Sequence, residues 1–353
     1  MNVSITTFFK SKLYILNKGD SRVTSIKDVA KLAEVSTATV SRVLTNTGNV
    51  SIKNRKKVLD AVEKLKYYPN SIGRQLRKME TKTILVVVPD ITNPFFTNML
   101  RGIENIAEEK GYQILLADTQ KKKVDNYFKY LYERQVDGMI LLTSKLSLRI
   151  IKDIYDKHPI VLACETSTIL DIPTISINNI EAAETVTDFL INLGHKKIIH
   201  VTGSLDSILG KKRLLGFENK MRQYNYPVTK ESIIEGDFSL ESGYKIAKHI
   251  LSMKDRPTAI FAANDEMAIG IIKVLREHRV NIPTDISVVG FDNIKLAEII
   301  EPGLTTYSQP NYEIGEKAME LLIDIIDKKA MERKNIILNG KLIERKSTIS
   351  PKI

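Results

Sequence analysis

Several features that would place a protein in other classes are missing from this sequence. It contains a single cysteine, Cys164, so no intrachain disulfide can form and a cytoplasmic protein is the simpler interpretation. The apolar neighbours of Cys164 favour an inert residue in a buried strand over a reactive thiol. No apolar run approaches the roughly 20 residues that a transmembrane helix needs. The sequence therefore predicts a protein with no membrane partner.

Signatures of catalysis and cofactor binding are also missing. There is no Gly-x-Gly-x-x-Gly and no Gly-Lys-Ser/Thr phosphate loop, so an enzyme with a nucleotide cofactor is not indicated. The five histidines are scattered without the spacing of metal ligands. Asp265 and Glu266 are adjacent residues of a predicted helix and point in different directions, which disfavours an acid/base pair. We therefore predict no catalytic residue, no metal and no cofactor.

The net positive charge lies entirely in the first quarter of the chain. Residues 23–82 carry 13 Lys and Arg against five Asp and Glu, whereas residues 83–353 carry 36 of each kind. A polyanion such as DNA attracts a basic segment, and a charge-balanced segment has no such attraction. The distribution predicts one domain that contacts phosphates and another that does not.

The basic segment has the pattern of three short helices. Ser25 to Asp28 fits a capping box that begins the first helix. Ser36 can cap a second helix from Thr37 to Leu44, and a third helix starts after Ser51. The second helix presents small hydroxyl-bearing residues and one arginine, which suit a helix that enters the major groove of DNA.

The stretch TSIKDVAKLAEVSTATVSRVL, from Thr24 to Leu44, resembles the helix-turn-helix headpiece of the lactose-repressor (LacI/GalR) family of transcription regulators. That family reads the major groove with its second helix. The resemblance implies base-reading positions at Thr37, Ala38 and Arg42. It implies further DNA contacts, several of them to phosphates, at Ser36, Thr39, Ser41, Asn46, Ser51 and Asn70.

A second segment resembles the family's hinge helix, which folds on operator DNA and inserts a leucine into the minor groove. It runs from Ser71 to Arg77, after Pro69 has ended the third helix. Leu76 occupies the inserting position, where an apolar wedge would open and bend the duplex. Gly73 costs a helix up to about 1 kcal/mol, so we expect the hinge to be mostly disordered without DNA. An inert linker is the alternative.

From Thr83 onward, short apolar strands alternate with amphipathic helices. This pattern predicts parallel sheets covered on both faces, with ligands bound beyond the carboxyl ends of the strands. Several motifs, including Pro89 to Phe96 and Val289 to Asn293, resemble the family's regulatory core, which is similar to periplasmic sugar-binding proteins. The predicted fold is α/β, a two-lobed periplasmic-binding-protein-like effector domain of two parallel-sheet subdomains, preceded by an all-α helix-turn-helix headpiece.

Carried over motif by motif, the resemblance implies effector-binding residues of mixed chemistry. Aspartate and arginine would bond to hydroxyl groups and phenylalanine would cover an apolar ring face, which suits a sugar or a nucleoside. The stretches from Ala163 to Glu165 and from Pro173 to Asn179 resemble cytidine-responsive members of the family. Phe95 and Phe238 could instead be plain core residues, and Asn264 could be a turn or cap residue. The implied residues are Asn93, Phe95, Thr143, Arg213, Phe238, Asn264 and Asp292.

These inferences give a domain plan and a set of partners. We predict a double-stranded operator, a small-molecule effector and a homodimer, because one helix reads too few bases for a genome-scale choice. The predicted domains are a disordered extension (1–22), the headpiece (23–69), the hinge (70–81) and an effector-binding and dimerisation domain (82–346), with an N-lobe of about 82–178 and 307–330 and a C-lobe of about 179–306 and 331–346.

Two other functions are compatible with parts of the sequence. The two-lobed domain alone would suit a solute-binding protein for transport, but the basic headpiece and the lack of a secretion signal disfavour that function. Within the family, a carbon-catabolite regulator would respond to a phosphorylated carrier protein. Glu301, on a surface that those regulators tend to keep basic, weakly disfavours this alternative.

Overall fold

The computed structural model describes residues 24–67, 80–120, 124–142, 153–164, 172–329 and 335–352. The chain forms two compact units, of which one ends at Met79 and the other begins at Glu80. The predicted extension and most of the predicted hinge, with Asn70 and Leu76, lie outside the described residues, as does Thr143. No helix in the described part of the chain is both long enough and apolar enough to span a membrane.

The described residues of the first unit, 24–67, form three helices around a small apolar core. They are α1 (Ile26–Ala33), α2 (Thr37–Leu44) and α3 (Ile52–Lys64). Their starts are fixed by hydrogen bonds of the kind that the sequence predicts. The Asp28 carboxylate accepts from the Ser25 backbone N–H at 2.9 Å, and the Ser36 hydroxyl accepts from the Thr39 backbone N–H at 3.1 Å. The core residues are Val29, Ala30, Ala33, Val40, Val43, Val58, Ala61 and Tyr67.

The second unit alternates strands and helices. Its strands are β1 (Thr83–Val88), β2 (Gln113–Asp118), β3 (Gly138–Leu141), β4 (Ile160–Ala163), β5 (Thr174–Ile177), β6 (Ile198–Thr202), β7 (Ile233–Glu235), β8 (Ala259–Ala262), β9 (Ser287–Asp292), β10 (Thr305–Ser308), β11 (Asn335–Leu338) and β12 (Lys341–Ile343). Its helices are α4 (Phe95–Glu109), α5 (Lys129–Tyr132), α6 (Asn179–Asn192), α7 (Ile208–Gln223), α8 (Leu240–Ser252), α9 (Asp265–Glu277), α10 (Lys295–Ile299) and α11 (Asn311–Ile326), with 3-10 turns at Val124–Tyr127 and Lys230–Ser232.

The strands form two six-stranded sheets, one in each lobe. The first has the order β11-β5-β4-β3-β1-β2 and is parallel throughout. The second has the order β12-β10-β9-β8-β6-β7, and only β12 is antiparallel to its neighbour. The prediction of two parallel-sheet lobes is therefore confirmed. In each sheet the carboxyl ends of the parallel strands lie at one edge, where ligands bind.

One part of the predicted lobe division is wrong. Residues 331–346 were assigned as a whole to the C-lobe, but β11 pairs with β5 in the first sheet, with Asn335 opposite Thr174. Only β12 joins the second sheet. Among the described strands the chain therefore crosses between the lobes three times, after β5, after β10 and between β11 and β12. A four-residue edge strand has too short a pattern to reveal which sheet it joins.

Glycines let helices pack at very short range within each lobe. A Cβ on Gly102 of α4 would overlap the carbonyl oxygen of Tyr312, and one on Gly315 of α11 would overlap that of Met99. Each helix thus presents a glycine to the backbone of the other. The same reciprocal arrangement joins α8 and α9 at Gly243 and Gly270.

This packing predicts the effect of one added methyl group. Gly315→Ala should lower the free energy of unfolding by about 1–3 kcal/mol, because the methyl meets backbone that has no way to move aside cheaply. Gly303→Ala is the matched control, since its Cβ would lie 3.4 Å from the flexible side chain of Arg345. Urea unfolding of both variants measures the difference. Equal stability of the two would contradict the close helix contact.

Candidate DNA-binding surface and effector cleft

The described DNA-contacting candidates of the first unit lie on α2, at its start, and in the segment that leads from α2 to the start of α3. Thr37, Ala38 and Arg42 are exposed on α2, whereas Thr39 and Ser41 are half-buried. Ser36 is exposed at the start of α2 and holds its first turn. The remaining described candidates, Asn46 and Ser51, are both exposed, and Ser51 caps α3.

The turn after α2 positions the arginine. Asn46 (φ 53°) and Gly48 (φ 72°) both adopt left-handed backbone conformations, which Asn and Gly tolerate best. A Cβ on Gly48 would lie 3.5 Å from Cδ of Arg42, so the aliphatic stem of the arginine rests against this turn. The stem is thereby supported while the residue remains exposed.

The basic residues at the start of α3 differ in their surroundings. Lys53 and Lys56 are exposed, whereas Lys57 forms an ion pair with Glu34 at 2.7 Å. The hydrogen bond from Lys57 lowers the pKa of Glu34. Lys57 thus links α3 to the end of α1, while Lys53 and Lys56 present their charge to solvent. Cations at a helix start oppose the helix dipole, so a phosphate nearby would explain them.

In the second unit, Arg213 of α7 is the centre of a buried polar cluster. Its Nε donates to Oδ1 of Asn179 at 2.9 Å, and its Nη1 donates to the carbonyl of Ala263. The same Nη1 lies 3.7 Å from Oδ1 of Asp292. The guanidinium also lies 3.8 Å from the centre of the Phe291 ring. The structure therefore brings together the two charged residues that the sequence favoured most.

Asp292 ends β9 in an unusual conformation. Its φ is 114°, and Asn293 follows with φ 56°. Asparagine tolerates the left-handed region, but the φ of Asp292 is strained for a non-glycine residue. Such strain costs about 1–3 kcal/mol and clusters at functional sites. Gln309 donates to Oδ1 of Asp292 at 2.7 Å. Burial raises the pKa of Asp292 to about 7, although the Arg213 charge and the Gln309 hydrogen bond oppose the rise.

Asn264 and Phe238 lie together on the second lobe. Oδ1 of Asn264 accepts from the Met267 backbone N–H at 3.0 Å and so caps α9. Nδ2 of Asn264 donates to the Phe238 carbonyl at 2.8 Å. Phe238 has φ 70°, and its ring covers Gly203, where any Cβ would overlap it. The cap role that the sequence left open for Asn264 is present, and its effector role stays a prediction.

The first lobe contributes the loop after β1. Oδ1 of Asn93 accepts from the Phe95 backbone N–H at 2.9 Å. The half-buried Phe95 ring lies edge-on to Phe96, with ring centres 5.0 Å apart. Phe95 also packs against apolar residues of the second lobe. It therefore touches both sides of the cleft.

Three residues of the Arg213 cluster were missed in the sequence. Asn179 begins α6 soon after β5, and Gln309 directly follows β10. Phe291, the third, immediately precedes Asp292. A signal was available for the first two, because each polar residue follows the carboxyl end of a predicted parallel strand.

The two residues considered as an acid/base pair have separate surroundings. Asp265 is fully buried and accepts from the Thr306 hydroxyl at 2.6 Å and from the Ile294 backbone N–H at 2.8 Å. Burial and the nearby Asp292 raise its pKa. Glu266 is half-buried. In the described ranges, no three His, Cys, Asp or Glu residues are placed to hold a metal ion.

A helix-turn-helix unit joined to a two-lobed ligand cleft defines a class of DNA-binding proteins with a sensor domain, and comparisons with known proteins agree. Residues 25–70 match the model "Bacterial regulatory proteins, lacI family", and residues 187–348 match a periplasmic binding protein-like domain. The chain is 38% identical over 310 residues to the HTH-type transcriptional repressor CytR of Escherichia coli K12, covering 87% of this chain and 91% of that one. It belongs to the lacI family and is a DNA-binding transcriptional regulator.

Solved structures support the same assignment. The lac repressor dimer bound to operator and an anti-inducer has a TM-score of 0.85 and 26% identity, covering 93% of this chain and 100% of that one. A lacI-family regulator from Enterococcus faecium with bound ribose has a TM-score of 0.70 and 32% identity, covering 76% of this chain and 100% of that one. The predicted combination of headpiece and two-lobed core is confirmed.

The raised pKa of Asp292 predicts a pH effect on stability. The folded carboxyl keeps its proton up to about pH 7, whereas the unfolded one releases it near the ordinary aspartate pKa of 3.8. Between about pH 3.8 and about pH 7 the unfolded state binds fewer protons than the folded state. Asp292 therefore lowers the free energy of unfolding as pH rises, by at most about 1.4 kcal/mol per pH unit.

Asp292→Asn lacks that titration, so its stability relative to the unmodified protein should improve as pH rises through the window. Urea unfolding at several pH values measures this difference, in which pH-independent costs of the substitution cancel. Asp206→Asn, at an exposed site, is the control and should follow the unmodified protein. A difference that does not change with pH would contradict the assignment.

Proposed function

We propose that this chain represses transcription as a homodimer on a near-palindromic operator and that a sugar or nucleoside in the cleft changes its operator affinity. The observation that carries the proposal is the buried Arg213–Asp292 pair at the carboxyl edge of the second sheet. Two further findings support it. One structural relative is a dimer on its operator and another holds ribose.

On DNA, α2 would enter the major groove with Thr37, Ala38 and Arg42 facing the bases. Arg42 supplies a planar donor fork that matches guanine, and the small side chains of Thr37 and Ala38 let the helix approach closely. Lys53 and Lys56 would contact phosphates, which adds affinity without sequence preference. Two headpieces reading two half-sites would then supply the specificity that one lacks.

Replacement of the arginine tests base reading. Arg42→Ala should cost about 1–3 kcal/mol of operator affinity per half-site and relax preference at one base pair. Binding-site selection followed by gel-shift titration measures both effects. Lys64→Ala, at the exposed far end of α3, is the control and should leave base preference unchanged. Uniform weakening across all sequences by Arg42→Ala would instead indicate a phosphate contact.

In the cleft, Asp292 would accept hydrogen bonds from ligand hydroxyls and Arg213 would donate to ligand oxygens. Phe95 and Phe238 would cover an apolar ring face, and Asn93, Asn264 and Thr143 would complete the polar contacts. A ligand shifts the two-lobed domain only by its differential affinity for two arrangements of the lobes. The predicted hinge with Leu76 would transmit this change to the headpieces.

Replacement of the Arg213 guanidinium tests the proposed ligand site. Arg213→Lys keeps the charge but loses the planar set of donors, so we expect at least tenfold weaker ligand binding and loss of the ligand effect on operator affinity. Operator binding without ligand should persist. Lys211→Arg, two residues away and exposed, is the control. Thermal shift and gel shift with D-ribose, D-glucose and cytidine measure the outcome. An unchanged ligand response would remove Arg213 from the proposed site.

A further inference from the structure

The turn at the end of β9, residues 292–294, has a backbone conformation that needs support from its surroundings. Asp292 has φ 114° and Asn293 has φ 56°. A strained conformation of this kind persists only where neighbouring groups over-determine it. The hydrogen bond from Gln309 holds the Asp292 side chain but does not fix the peptide groups that follow it. We therefore looked for the partners of those peptide groups.

Two side chains hold both backbone amides of the turn. The Asn293 N–H donates to Oγ1 of Thr306 at 3.2 Å, and the Ile294 N–H donates to Oδ2 of Asp265 at 2.8 Å. The Thr306 hydroxyl itself donates to Oδ1 of Asp265 at 2.6 Å. One carboxyl group thus holds the second amide directly and the first through a hydroxyl. Two successive peptide groups after Asp292 are fixed in this way.

The Asp265 carboxyl group lies directly against β9. Asp265 is the first residue of α9 and is fully buried, as is Thr306. Gly290 lies opposite Thr306 in the register of β9 and β10, and a Cβ on Gly290 would overlap Oδ1 of Asp265. The glycine therefore gives the carboxyl group its place beside the strand. A buried group that is hydrogen-bonded through both oxygens in a close-packed site has little freedom to move.

The Asn293 side chain adds a second set of contacts to the same turn. Its Nδ2 donates to the Ser308 hydroxyl at 3.1 Å, and its Oδ1 accepts from Nη2 of Arg345 at 2.8 Å. The turn is thus held through its backbone and through this side chain. Asparagine tolerates the left-handed region, so Asp292 is the residue of the turn whose conformation depends most on these contacts.

We propose that Asp265 and Thr306 are positioning residues that keep Asp292 in the orientation in which it faces Arg213 and the ligand. This inference rests on the proposed effector site and adds residues that act on it through Asp292. A binding group that is already held in place loses less conformational freedom when the ligand arrives. Release of the turn would therefore weaken ligand binding even if the chain stays folded.

Loss of one hydroxyl tests the contact in the full chain without ligand. Thr306→Val keeps the branched shape of the side chain but leaves the Asn293 N–H without its acceptor. Hydrogen exchange followed by mass spectrometry reports the opening of such amides. We expect the peptide that covers residues 290–296 to contain amides that exchange at least tenfold faster in this variant. Thr306→Ser keeps the hydroxyl and should restore slow exchange.

Ser287→Ala is the matched control. Ser287 is a fully buried residue at the other end of β9, and its hydroxyl also accepts from a backbone N–H and donates to an oxygen, both of Ile349. Its removal should leave exchange in residues 290–296 unchanged. Equal acceleration by Ser287→Ala and Thr306→Val would show a general loosening of the sheet and would overturn the assignment, as would unchanged exchange in Thr306→Val.

Ligand binding tests the consequence for the cleft. Isothermal calorimetry with D-ribose, D-glucose and cytidine identifies a compound that binds the unmodified chain. That compound should bind at least fivefold more weakly to Thr306→Val and within twofold of the original affinity to Thr306→Ser and Ser287→Ala. Faster exchange with unchanged affinity would overturn the positioning role. If none of the three compounds binds the unmodified chain, the proposed ligand class is wrong, whereas the exchange comparison still decides whether Thr306 holds the turn.

Discussion

The second unit depends on the buried pair of Arg213 and Asp292 and on the residues that make it tolerable. A guanidinium taken out of water loses several kcal/mol of hydration, and only close pairing with further hydrogen bonds offsets that loss. Burial raises the pKa of Asp292 to about 7, so this carboxyl ionises beside the guanidinium only near neutral pH. Arg213 and Asp292 receive that support from Asn179 and Gln309, which come from different strand ends and helices. The pair therefore ties α6, α7, β9 and the start of α11 to one point at the cleft.

The parts of the structure that follow local rules were predictable from the sequence. Helix starts at Ser36 and Ser51 depend on the capping residue and its nearest neighbours, and the alternation of strands and helices depends on periodicity. Partners contributed from distant segments were not predictable in this way. Gln309 lies 17 residues from Asp292 in sequence, and the hydrogen bond between them exists only once two neighbouring strands are in register.

The same distinction explains the role of Asn264. An asparagine between an apolar strand and a helix is at once a good cap and, in this fold class, a residue at the ligand edge. Sequence pattern has no means to separate the two roles, because both require the same place in the chain.

The close contact between α4 and α11 was not predicted from the sequence. Gly102 and Gly315 gave no strong sequence signal, yet each lies directly against the backbone of the other's helix in the first lobe.

The third crossing between the lobes is very short, and its length has a mechanical consequence. Only Asn339 and Gly340 separate Leu338 of the first sheet from Lys341 of the second. Three peptide steps reach about 11 Å at full extension. A Cβ on Gly340 would overlap Tyr307, so this two-residue connection also packs tightly against the second sheet. This short connection holds the two lobes close together on one side. Any opening of the cleft must therefore hinge at this connection and be widest on the opposite side.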